Sequence, residues 1–517
     1  MRHLFHETRS VDTELDSGSC RRLSKTCSRG RSAPPWTPAG ATPRILILLV
    51  CLLPSCTMIP DYERPEAPVP ETWPGALAPA GAVSGDAATS LAQTSWKDFF
   101  LSEGLQDCIT RALEHNRDLK VAALNMESAR ALYSIRSDDL LPSIDAQASG
   151  SRQGIPRNLS ANGRSSTEAQ YRANIAATEF ELDFFGKIRS LNEAALQEFL
   201  ASEEAHRSAR ITLVSEVAQA YLQWAGDLEV VGLLERSLES QAKTADLVRA
   251  SYERGAFPKR EHLRAQAALE SARERLAMAR RRVSQDVNAL SLLTGMGSGS
   301  ACGIWDGRAV SLDEVKLLSK LPVGLPSEVL LARPDILAAE HRLMAMNARI
   351  GVMRAAFFPS ISLTGSFGYA SDSLSSLFTG GSYGAWTFVP SISTPLFQGG
   401  RNQANLEHAK VQHDLAVAQY EKAVQSAFRE VADALAAQEP LDTQFKARHS
   451  RYELAMEAYA ISKARHERGL DGLLDLLEAQ GALDAARQSL VEAKREQLAN
   501  LVGVYKVLGG GRAIEKH

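Results

Sequence analysis

Asp471 and Asp475 stand four residues apart in GLDGLLDLLEAQ, with Arg468 just before them and Glu478 just after. Carboxylates at that spacing share a helix face if the helix begins at Asp471, and such a face attracts cations. Asp471 is equally suited to N-cap the same helix. The other chemistry-bearing side chains are dispersed. Asp138 and Asp139 adjoin near the end of a helical stretch, where a solvated face explains them. His262, His341, His413 and His466 fall within helical heptads, and Arg280–Arg282 read as the polar stripe of a helix. HExxH, P-loop and dinucleotide motifs are all absent from the sequence, which argues against an enzyme and against a bound cofactor or metal. Cysteines at 20, 27, 51, 56, 108 and 302 form no CxxC. They argue against a disulfide scaffold and leave a Cys108–Cys302 bridge open.

The elements that must position these residues are unusual. The chain has 517 residues, enough for several ordinary domains, and its 58 Lys+Arg against 61 Asp+Glu give no hint of nucleic-acid binding. Residues 45–56 read ILILLVCLLPSC after Arg44. That run is too short to span a bilayer and suits the apolar core of a secretory signal. Its end, LPSC, is similar to a bacterial lipobox, with Pro54 where a small or aliphatic residue is usual. Cys56 is then the lipidated first residue of the mature protein; the alternative is an uncleaved signal. Residues 1–43 are polar and make an overlong leader, as a start assigned too early would. Residues 56–96 begin as a Pro-rich extended tether.

The rest is written twice. NRDLKVAALNMESARALYSIRSDDLLP (116–142) corresponds to RPDILAAEHRLMAMNARIGVMRAAFFP (333–359), and both continue into P-S-I. ERGAFPKREHLRAQAAL (253–269) and ERGLDGLLDLLEAQGAL (467–483) share eight of seventeen positions. Repeat 1 spans 97–300, repeat 2 spans 333–510, an inter-repeat segment covers 301–332, and 511–517 is a tail. Each repeat predicts a helix, two strands joined by a Ser- and Gly-rich loop, a very long helix, a tight glycine turn and a return helix. The strands are expected at about 143–151 and 169–182, then about 360–370 and 383–394. The long helices are expected at about 187–254 and 400–468, each on the order of 100 Å, with heptad-like seams.

In FPSISLTGSFGYA (358–370) apolar and polar residues alternate with a period of two. Four strands of about ten residues with one apolar face match outer-membrane barrel strands, and four are too few to close a barrel. The barrel is therefore shared between subunits. Ile361, Leu363, Phe367, Trp386 and Phe388 are placed on its lipid face, with Ser362 and Thr364 toward the lumen.

With LPSC followed by PDYERP (60–65), the paired P-S-I entries, ELDFFGKIR (181–189), TPLFQGGRN (394–402), RPDILAAEHRL and the ERG pair, the chain resembles the TolC-like outer-membrane efflux proteins of the lipid-anchored OprM/NodT type. The resemblance covers roughly 56–510. It implies an α+β membrane protein, a homotrimer whose twelve-stranded β-barrel continues into an α-helical tunnel, with an equatorial belt including 97–115 and about 300–330. It implies a periplasmic adaptor and an inner-membrane transporter of RND type as partners, and export of drugs or other small toxic molecules. In that family the second helical pair closes the periplasmic end through acidic residues gathered on the threefold axis. This assigns Asp471 and Asp475 to the gate, Arg468 and Glu478 to its latch, and the turns at Gly255, Gly469 and Gly472 to adaptor docking. A structural coiled-coil protein would explain the heptads but not the paired strands. The exit duct of a type I protein-secretion system shares the fold and is the alternative.

Overall fold

The computed structural model describes residues 57–70, 94–160, 163–296, 311–318, 327–379 and 383–510. The signal region with Cys56, Cys302 and the 511–517 tail lie outside the described residues. Repeat 1 runs α1 (Trp96–Phe99), α2 (Glu103–His115), α3 (Arg117–Asp138), β1 (Asp145–Ile155), β2 (Ser166–Glu181), α4 (Lys187–Glu253) and α5 (Lys259–Leu293). Repeat 2 follows a 3-10 turn, Ser327–Ala332, with α6 (Pro334–Ala355), β3 (Ser360–Ser371), the short α7 (Leu374–Phe378), β4 (Tyr383–Ser393), α8 (Arg401–Ala436), α9 (Gln438–Glu467) and α10 (Leu473–Val507).

Local sequence explains the boundaries. Asn116 caps α3 by accepting from the Leu119 amide at 2.9 Å, and its own amide donates to Leu293 O at 2.8 Å, tying the start of repeat 1 to its last helix. Pro334 opens α6 at a position where no amide is needed. The 67 residues of α4 contain no proline, so its ladder continues for about 100 Å.

The expected single helix at about 400–468 is a correction. It is broken at Ala437 into α8 and α9. Pro440 is the cause: it has no amide to offer Ala436 O, and its ring crowds that carbonyl. The bonds around it survive, Ala437 N to Asp433 O at 3.2 Å and Leu441 N to Ala437 O at 3.0 Å, so the break is a single step rather than a loop.

The largest apolar core lies at mid-height. Phe99 and Phe100 meet Tyr505, with Phe99 stacked on it at 4.5 Å, and Leu105, Ile109, Val217, Tyr221, Leu222, Leu290 and Leu312 close round them. Residues 311–318 join this belt through Leu101 N to Lys316 O and Leu318 N to Phe99 O. Cys108 is fully buried here and is disulfide-bonded. A second core packs Ile336 and Leu343 of α6 against Tyr420, Val424 and Val431 of α8.

The N-terminal segment is more than a tether. Residues 57–70 form no helix or strand, yet they are strapped along α6. Arg64 makes a two-pronged ion pair to Glu340 at 2.6 and 2.7 Å, Tyr62 Oη donates to the same carboxylate at 3.2 Å, and Asn347 donates to Pro60 O at 2.8 Å. The Glu340 side chain is only 4% exposed, so these partners supply what water cannot. Burial beside Glu340 raises the Tyr62 phenol well above its usual range.

Candidate functional site

The four strands form one antiparallel sheet in the order β1-β2-β3-β4. Register settles which side chains share a face, because directly paired residues point the same way. Ile361 pairs with Ile392, Leu363 with Pro390, Gly365 with Phe388 and Phe367 with Trp386. Across β2, Phe367 pairs with Ile175 and Tyr369 with Ala173; across β1, Ile175 pairs with Ala146 and Ala173 with Ala148. One apolar face therefore runs across all four strands. Phe367, Trp386 and Phe388 are 68%, 72% and 62% exposed on it, while Ile361 and Leu363 are half-buried. The opposite face is polar: Ser362 with Ser391, Ser366 with Thr387 (2.7 Å between hydroxyls), Gln147 with Asn174, Ser149 with Arg172. A β-bulge between Ala177 and Phe180 puts Glu179 at φ 53°, its amide donating to Thr364 Oγ1 at 3.1 Å. No residue type in the sequence announces that bulge.

At the far end of the helices the two repeats turn on the same backbone. Gly255 and Gly469 sit at φ 72° and 73°, where a side chain would be strained. The following amides, Ala256 N and Leu470 N, each reach back 2.9 Å to Ser251 O and Arg465 O. Gly472 differs: at φ −72° it is extended and N-caps α10.

The acidic residues are placed otherwise than the spacing suggested. Because α10 begins at Leu473, Asp471 lies outside it and shares no helix face with Asp475, and Asp471 is not the N-cap. Asp475 turns back to accept from Gly472 N at 3.0 Å. Arg465 Nε donates to both Asp471 oxygens at 2.9 Å, and His466 Nδ1 lies 3.0 Å from Asp471 O. The ion pair expected from Arg468 is made by Arg465 instead: Arg468 is the C-cap residue of α9 and makes no ion pair among the described residues. Glu478 is exposed one turn along α10. In repeat 1 the positions of Arg465 and Asp471 are Ser251 and Phe257, so nothing there can make this pair.

Between the belt and these turns is a cavity of about 360 Å³ lined by Gln223, Asp227, Arg282, Gln488, Glu492 and Arg495. Arg495 of α10 donates to Gln223, which donates to Asp227 at 2.7 Å. Burial, then the charge of Asp227 and a hydrogen bond with it, push the Asp286 carboxyl up to about 7. Sequence reasoning missed this chain, and also Arg333, buried at the start of α6, which joins Asp335, Glu430 and Val507 O. Arg333 was visible only as part of RPDIL. Nothing in the spacing of 227, 286 and 495 links those residues.

An outward apolar sheet face at one end, and twin glycine turns about 100 Å of helix away, describe a duct. The family model described as "outer membrane efflux protein" matches residues 108–296 and 325–510. This chain belongs to the outer membrane efflux protein family. Two Pseudomonas putida relatives, "Antibiotic efflux pump outer membrane protein ArpC" and "Toluene efflux pump outer membrane protein TtgC", are each 42% identical over 466 residues, covering 90% of this chain and 95% of theirs. The open-state crystal structure of the Neisseria gonorrhoeae MtrE outer membrane channel is 40% identical, with a TM-score of 0.78 over 88% of this chain and 98% of that one. The fold class of this outer membrane efflux protein is α+β. Four strands per chain enter a trimeric twelve-stranded β-barrel that continues into a helical tunnel, the whole written in two repeats.

Proposed function

We propose that this outer membrane efflux protein is the exit duct of a tripartite pump, passing drugs, solvents or other small toxic molecules from periplasm to exterior. It works as a channel, not as an enzyme. The observation that carries this reading is the near-full-length similarity to relatives named for antibiotic and toluene efflux. A homotrimer forms the pore. A periplasmic adaptor docks at the helix tips around Gly255, Gly469 and Gly472, and an RND-type inner-membrane transporter supplies the energy. Cys56 carries the lipid, and the strap over α6 carries the chain from that anchor to the helices.

The gate is the second turn. Helix α9 buries no residue within the protomer, whereas α4 buries a long row including Val217, Leu222 and Ala225. The α9–α10 pair is thus the less firmly held one, hinged at the Pro440 break. Asp471, held by Arg465, and Asp475, from three subunits, form a ring of carboxylates that narrows the pore and favours cations.

The test is substrate accumulation in a strain lacking the chain. Toluene or antibiotic should accumulate, and the full chain should restore export. Restored export of a secreted protein with no change in small-molecule accumulation would favour the type I secretion alternative instead.

A further inference from the structure

The lipid-facing rows also show where the membrane ends. From the Ile361/Ile392 row to the row holding Ser371, Tyr171 and Gly150 is ten residues along β3. At about 3.3 Å per residue and a strand tilt of about 40°, that height is ~25 Å, the thickness of an outer-membrane apolar band. The next outward position on this face is Arg152, which pairs with Ala169 two residues beyond the Gly150–Tyr171 pair. Arg152 is exposed and sits on the lipid side, just past the last apolar row.

It is not alone. The outer part of the β1–β2 hairpin, from 146 to 167, carries Arg152, Arg157 and Arg164 and no acidic residue; Glu168 and Arg172 of β2 lie on the opposite, lumen-side face. Arg157 and Arg164 are exposed in the connecting loop, where Arg157 Nε donates to Gly163 O at 2.9 Å and keeps that guanidinium at the turn. The β3–β4 hairpin has one charged residue from 360 to 393, Asp372. The helices join both hairpins at the opposite, periplasmic end, so the basic loop faces outward.

We infer that the first hairpin is a docking surface for the phosphate groups of an anionic glycolipid in the outer leaflet. Arg152 reaches the headgroup from the barrel wall, and Arg157 and Arg164 reach it from above. Guanidinium groups suit phosphate because they offer paired donors in a plane. In the trimer this gives three basic sectors alternating with three nearly neutral ones.

The test uses the full-length assembled protein in nanodiscs of zwitterionic lipid. Diphosphorylated, monophosphorylated and dephosphorylated forms of the outer-leaflet glucosamine lipid are titrated in, and bound lipid is counted by native mass spectrometry. The wild type should prefer the diphosphorylated form. Arg152→Gln should weaken that binding severalfold, and adding Arg157→Gln and Arg164→Gln should bring the loss to about a hundredfold, given about one tenfold step or less per basic residue. Single-channel conductance should be unchanged throughout, which separates this inference from the efflux reading. If the triple variant fails to assemble, the loop pair Arg157→Gln with Arg164→Gln carries the test and should still weaken binding. Unchanged binding in the variants, equal binding of the dephosphorylated lipid, or displacement by inorganic phosphate at matched concentration would each overturn it.

Discussion

The two repeats share a backbone and divide its uses. Their glycine turns match to a degree in φ and to the same reach-back bonds, yet one holds an Arg465–Asp471 ion pair and the other Ser251 and Phe257. Their long helices differ in the same direction: α4 is continuous and well buried, whereas α8 and α9 are parted by Pro440, and α9 buries nothing within the protomer. At the membrane end, β3 and β4 carry Phe367, Trp386, Phe388 and Ile392 to the lipid, while β1 offers Ala146, Ala148 and Gly150. Duplication supplied a symmetric frame. The proposed roles follow where the copies disagree: in that proposal repeat 1 is the fixed wall and basic outer rim, and repeat 2 the apolar anchor and gate.

Substitutions at matched places in the two copies test this division. The largest effect is expected at the second hairpin. Phe388→Arg, on the lipid face near mid-band, should cost ~2–4 kcal/mol of barrel stability, while its neighbour Thr387→Arg, facing the lumen, should cost little. Unfolding in lipid vesicles by denaturant reads both, and equal losses would refute the assigned faces. The strap comes next. Glu340 has only Ala123 as its counterpart in repeat 1. Glu340→Ala should cost about 1–2 kcal/mol, less than a fully buried pair would, because Arg64 is 47% exposed and regains water. Gly255→Ala and Gly469→Ala should each cost about 1 kcal/mol and should match each other, since the turns share one conformation; a twofold disparity in denaturant midpoint shift would show that the frame is not symmetric. The smallest effect is set by pH. The Asp286 carboxyl titrates about 7 in the folded chain, above its ordinary range, so its protonated form is favoured by folding. Stability should be full below about pH 4 for this group and decline as pH rises through 7. Asp286→Asn should flatten the difference in Tm between pH 5.5 and 8.5.

Much of this was legible because it is periodic. The offset repeats, the alternation at 358–370 and the heptads follow directly from how strands and helices bury one face. The lipid face needed only parity. The acidic second turn was legible in composition and misread in geometry. The spacing of Asp471 and Asp475 suggested a shared helix face, but Gly472 is extended and moves the helix start to Leu473, outside Asp471. Arg468 lies nearer in sequence than Arg465, but the chain reverses after Arg468, and the residue one turn earlier faces the turn. Pro440 was visible, and its breaking of the long helix follows from elementary sterics. The Arg64–Glu340 strap and the Gln223–Asp227–Asp286 chain bridge elements far apart in sequence. Pattern carries no information about such pairs until the packing is known.

The most direct measurement is single-channel conductance in planar bilayers, made on both turns in parallel. Asp471→Ala with Asp475→Ala should raise conductance and weaken cation selectivity. The matching change in repeat 1, at the positions that correspond to Asp471 and Asp475, is Phe257→Ala with Glu261→Ala, and it should leave both as in the wild type. If the second-turn variant conducts and selects like the wild type and only its thermal stability falls, or if both variants open the pore alike, the gate is not where the repeats diverge and the account is wrong.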